Sequence, residues 1–174
     1  MDNNRSNETN HVTATFSDPD AAERAYQSMI NRGYRDKDIH VLMSDDTRKR
    51  HFSRDSKGLG HKAMEGAGVG GAVGGAVGAT LMAIAAAAST IAVPGIGLVV
   101  AGPLAGALAG GATGATAGGL VGALVGAGIP EHRAKEYESD IKNGGIVMGV
   151  KPRNPDDAHY FENEWRNTGQ HIYS

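Results

Sequence analysis

Cysteine is absent from the 174 residues, which excludes disulfides, thiolate nucleophiles and zinc-cysteine centres and suits a reducing cytoplasm. Net charge is nearly absent too. Lys and Arg total 17 against 19 acidic residues, so no global field draws nucleic acid or acidic ligands. The start, residues 1–11, has no apolar segment, and no cleavable signal peptide is expected. Aromatic residues are 5 % of the chain, and Tyr26, Tyr137, Phe161 and Trp165 fall at helical core spacing, which assigns them to packing rather than to a ligand box. The largest absence is internal. From residue 66 to residue 130, 65 positions in all, there is no charge, amide or imidazole.

What fills that gap is mostly Gly, Ala, Val, Leu and Ile. Gly102, Gly106, Gly110, Gly114, Gly118, Gly122 and Gly126 fall at every fourth position, and Gly66, Gly70, Gly74 and Gly78 start a similar series. A glycine inside a helix costs about 1 kcal/mol relative to alanine, so the series is unfavourable unless bare backbones touch something. In lipid the backbone is forced into helix and small residues let helices approach closely. The stretch therefore reads as a glycine-zipper hairpin over residues 64–129, with these eleven glycines as helix-packing positions. Strict fours sweep around a helix, so either the two helices cross at a right-handed angle and use only some of them, or several neighbours surround the second helix, which implies a homo-oligomer.

The flanks carry a different pattern. A polar tail (1–10) precedes His11 to Phe16, where Val12, Ala14 and Phe16 alternate as in a strand. Ser17-Asp18-Pro19 opens a helix with Ala22, Ala25, Tyr26 and Met29 on one side, Gly33 ends it, and Ile39 to Met43 is a second strand. Residues 44–63 form a polar, basic linker. After the hairpin, Pro130 opens a helix with Ala134, Tyr137 and Ile141 inward, and Gly144-Gly145 ends it before a strand at Ile146 to Val150. Asn154-Pro155 caps a third helix with Ala158, Phe161 and Trp165 inward, and His171 to Tyr173 is a short last strand. Residues 11–43 and 130–174 thus predict two halves, βαβ and αβαβ, of one α+β domain. The expected fold is a ferredoxin-like four-stranded sheet, helices on one face plus one extra helix, interrupted by the hairpin.

These residues resemble a known family. Ala14-x-Phe16 with Ala22, Ala25 and Gly33, Asp38-Ile39, Pro94-Gly95-Ile96-Gly97 to Gly102-Pro103-Leu104, and Gly126-Ala127-Gly128-Ile129-Pro130-Glu131 with Ala134 and Tyr137 resemble bacterial general stress and heat-induced proteins with a YflT-like domain. The resemblance covers about residues 11 to 151. It implies a stress-linked bacterial protein and carries over no catalytic residue.

Gly66 to Ala92 and Pro103 to Ile129 are 27 residues each, about 40 Å as helix, against a hydrocarbon core of about 30 Å. Pro94 to Gly102 is the expected far-side turn. Arg48, Lys49, Arg50, Arg54, Lys57 and Lys62 precede the first span as lipid-headgroup contacts, Arg133 and Lys135 follow the second, and the turn is uncharged. Both termini then face the cytoplasm from a bacterial inner membrane, the alternative being a cytoplasmic protein. Large apolar residues are sparse in each span, which weakens insertion of either helix alone.

Other motifs are weak. Gly66-x-Gly68-x-x-Gly71 matches a dinucleotide fingerprint, but no strand precedes it and no acidic residue follows at the required distance. No Walker lysine follows a glycine loop, and the seven histidines include no HxH or HxxxH pair, so neither phosphate chemistry nor a metal is expected. No cofactor and no enzymatic activity are read from the sequence. The expectation is a stress-associated membrane anchor for a small αβ domain. The alternatives are a soluble oligomeric interaction module and a small-ligand-sensing ferredoxin-like domain.

Overall fold

A computed structural model of the chain describes residues 11–52, 89–93, 96–110, 112–126 and 129–173. The expected tail, most of the first span with Gly66, Gly70, Gly74 and Gly78, and Arg54, Lys57 and Lys62 lie outside the described residues.

The elements follow in the order β1 (Val12–Phe16), α1 (Pro19–Asn31), β2 (Ile39–Ser44), α2 (Asp45–Phe52), β3 (Ser89–Val93), β4 (Ile96–Ala101), α3 (Pro103–Gly110), α4 (Ala112–Gly126), α5 (Glu131–Lys142), β5 (Ile146–Val150), α6 (Pro155–Trp165) and β6 (Gln170–Tyr173). The sheet runs β3-β4-β2-β5-β1-β6, with every neighbour antiparallel. Its last four strands, β2-β5-β1-β6, are two βαβ units interleaved, which is the ferredoxin-like arrangement. The fold is α+β.

Local chemistry explains the helix starts. Asp18 caps α1 by accepting from the backbone N–H of Asp20 and Ala21, with Pro19 in the first turn. Asn154 caps α6 by accepting from the Asp157 N–H, again ahead of a proline. Alternation along the strands then divides the core between two faces. Phe16, Val41, Met43, Ile146 and Met148 meet Tyr26 and Met29 of α1 and Phe161 and Trp165 of α6. Asp157 ties the halves together where these two helices meet, accepting from Arg32 Nε at 2.6 Å and from the Tyr34 hydroxyl at 2.5 Å. Hydrogen bonding from Tyr34, then Arg32, holds its carboxyl below the usual range.

The opposite face departs from the expected single helical layer. Leu42, Leu98, Val100 and Val147 are covered by Leu108 of α3, Leu120 and Leu124 of α4, and Ala134, Tyr137 and Ile141 of α5. Helices therefore lie on both faces of a six-stranded sheet. The expected turn at Pro94 to Gly102 is corrected: Ile96–Ala101 is a strand, paired with β2 from Val41↔Ala101 to Ser44↔Leu98, and β3 pairs with its other edge. Its β-branched residues suit a strand buried on both sides, where Leu98, Val99 and Val100 have at most 2 % exposure.

The second expected span, Pro103 to Ile129, is two helices rather than one. They are Pro103–Gly110 and Ala112–Gly126, and α4 is interrupted at Gly119, where φ is 60° and ψ is −147°, a backbone open to glycine. Among the described residues no helix is long and apolar enough to cross a membrane. The start of the linker, Asp45–Phe52, is also helical.

Candidate functional site

Across the sheet, Thr13 of β1 faces Gly149 of β5, and Gly149 faces His40 of β2. The three share the face that carries Leu42 and Val147. Gly149 has no side chain to fill the middle of this row: a Cβ there would lie 2.6 Å from Thr13 Cγ2. α5 crosses above the gap and places Arg133 and Tyr137, four residues apart and so on one helical face, over it. Leu104 of α3 and the Ile129-Pro130 entry to α5 close the side. The result is a cavity of about 70 Å³ between the sheet and the insert.

Its polar groups are few. His40 is 4 % exposed, its Nδ1 is buried with no partner, and its ring meets that of His11 edge to face at 5.0 Å. Burial, then the neighbouring His11, lowers the His40 pKa to about 4, so the ring is neutral at physiological pH. Burial, then Lys151, lowers that of His11. The Tyr137 hydroxyl shares a 2.5 Å hydrogen bond with Thr13 Oγ1, and burial raises its pKa, so it stays a protonated phenol. Arg133 has a buried Nε without a partner, and its guanidinium lies over the Tyr173 ring, 4.5 Å from the centroid.

Chemically this is an apolar pocket with one permanent cation, two neutral imidazoles and a phenol already engaged. It presents hydrogen-bond donors without an activated nucleophile. Among the described residues no group of three or more His, Asp or Glu is placed to hold a metal ion.

The predicted site residues lie elsewhere. Gly102 is corrected from a helix-packing position to a turn: its φ is 83°, and a Cβ would fall 1.8 Å from the Ile39 carbonyl oxygen, so the chain turns from β4 into α3 only with glycine. Among the described residues, no atom outside their own helix lies within 4 Å of a Cβ built at Gly106 or Gly126. Gly110 belongs to α3 and Gly114, Gly118 and Gly122 to α4, and the interruption at Gly119 further divides the series. Of the basic cluster, Arg48 and Lys49 each pair with Asp45 at 2.6 Å, while Arg50 is exposed.

Sequence reasoning missed His40, Arg133 and Gly149 as a group. The one available signal was a histidine at an inward strand position, His40 two residues from Leu42, and it identifies no partner. No family model, curated protein or solved structure matches the chain.

Proposed function

We propose that the chain is a non-enzymatic binding protein, a small-ligand-sensing ferredoxin-like domain whose glycine-rich insert responds to occupancy of the cavity. One observation supports this reading above others: the cavity has unpartnered buried polar atoms on the sheet and on α5, while Leu104 and Ile129 bring residues of the insert into its wall. A ligand there touches both parts, so its binding energy biases whether the insert stays docked. A stress-linked role belongs to the same proposal through the family resemblance. To test it, fragment-sized compounds are screened against the full chain by chemical-shift perturbation at His40 and Tyr137. Binders are expected to slow amide hydrogen exchange in α3 and α4; a binder that perturbs His40 yet leaves exchange in the insert unchanged would contradict the linkage.

Membrane anchoring is the second reading, favoured by the uncharged run of residues 66–130 and the basic residues before it. It requires α3 and α4 to leave the sheet, because Leu108, Leu120 and Leu124 cannot lie in lipid and in the core together. Self-association is supported by the open faces of Gly106 and Gly126, which allow another backbone to approach. Flotation with liposomes of anionic lipid tests this reading. It expects Leu124→Asp, which weakens docking, to increase the floated fraction, and an unchanged fraction would count against it.

A further inference from the structure

We infer that the cavity between Arg133, His40 and the Gly149 gap takes a short-chain monocarboxylate, of the acetate to butyrate class. The inference rests on the ligand-sensing reading and adds the chemistry of the ligand.

Three properties of the cavity converge on that class. The first is sign. Arg133 is permanently charged, no carboxylate among its described neighbours forms an ion pair with it, and none lines the cavity. Asp140 is committed elsewhere, accepting from Thr15 Oγ1 at 2.7 Å and holding His171 at 2.9 Å, and Glu136, half-buried on the same helix, neither pairs with Arg133 nor lines the cavity. A buried, unpaired donor on a cation is costly to leave unsatisfied, and an anion satisfies it.

The second is shape. A guanidinium offers a planar fork that matches a carboxylate, and the Tyr173 ring packs against it. His40 adds a donor in the tautomer with hydrogen on Nδ1, the atom that now lacks a partner. A phosphate, with roughly two negative charges at neutral pH, would be left undercompensated by one guanidinium and neutral imidazoles.

The third is size and polarity. Leu42, Leu104, Ile129, Val147 and Met148 supply hydrocarbon on the remaining sides. About 70 Å³ is roughly half of the 150 Å³ or so that accommodates benzene, which leaves room for a carboxylate with a tail of one to three carbons. A long acyl chain exceeds the volume of the cavity itself.

The test is an NMR titration of the full chain at constant ionic strength, following the His40 ring and the Arg133 side chain. The probes are sodium propionate, 1-propanol, propylammonium chloride and sodium chloride. Propionate should shift both groups saturably, and the other three should not. Arg133→Gln should weaken propionate about tenfold or more, since a charge-assisted hydrogen bond to a buried ion is lost, and Arg133→Lys should lose less. Leu104→Trp, which alters a half-buried position on the insert side, should abolish binding without touching the polar groups. Equal binding of 1-propanol would overturn the carboxylate class while leaving a ligand site in place. Chloride acting like propionate, or Arg133→Gln binding like the parent, would overturn it too. If no probe shifts either group, the monocarboxylate assignment falls, and the ligand-sensing reading stands or falls on the fragment screen.

Discussion

Leu124→Ala isolates the docking of the insert from everything else in the fold. Leu124 has no measurable exposure and joins Leu120 and Leu108 against Leu42, Leu98 and Val147 of the sheet. Truncating a buried leucine costs about 2 to 5 kcal/mol, from the lost transfer energy and the cavity left behind. At about 2 to 4 °C per kcal/mol for a protein of this size, the midpoint should fall by roughly 4 to 20 °C. Val125, the adjacent residue, is 43 % exposed, and Val125→Ala should stay within about 0.5 kcal/mol of the parent. Urea unfolding of both variants, followed by circular dichroism, measures the difference directly. Equal midpoints for the two variants would refute the reasoning, because a helix that does not rest on the sheet has no reason to distinguish its Leu124 from its Val125.

Two further outcomes test separate features. Gly106→Ala should stabilise the chain by up to about 1 kcal/mol, since its Cβ meets open space in a helix, whereas Gly102→Ala should destabilise it by several kcal/mol through collision with the Ile39 carbonyl; equal effects in thermal melts would show the two glycines in equivalent settings. His40 is neutral when folded down to about pH 4 but protonates near pH 6.5 when unfolded, so the unfolded state binds the extra proton and stability should fall by up to about 1.4 kcal/mol per pH unit as pH drops through that window. His40→Phe should flatten this part of the stability profile in urea titrations, and a slope equal to the parent's would assign the acid sensitivity to other groups.

Much of the αβ domain was legible in the sequence because its signals are local. Period-two alternation in residues 12–16, the Asp18-Pro19 and Asn154-Pro155 caps, and the inward stripes Ala134-Tyr137-Ile141 and Phe161-Trp165 all reappear in the fold. The uncharged run was harder, since a continuous apolar segment has no periodic contrast between buried strand and buried helix. Ile96 to Ala101 therefore reads as a turn between spans, although Leu98, Val99 and Val100 fill both core layers. The face of the sheet that α5 covers was equally unreadable, because a stripe says which side of a helix is buried and nothing of what covers it. The cavity needs three strands in register, with Gly149 between Thr13 and His40, and no spacing along the chain encodes that juxtaposition.

Residue-resolved amide hydrogen exchange on the full chain tests most directly whether the glycine-rich insert is built into the αβ domain. Leu98 to Ala101 and the Leu120–Leu124 turn of α4 are expected to be protected to nearly the same free energy as Ile39 to Ser44, since they share one sheet and one core. Rapid exchange throughout residues 97–126 beside a protected β2 would contradict the account and return the insert to the role of a separate hairpin.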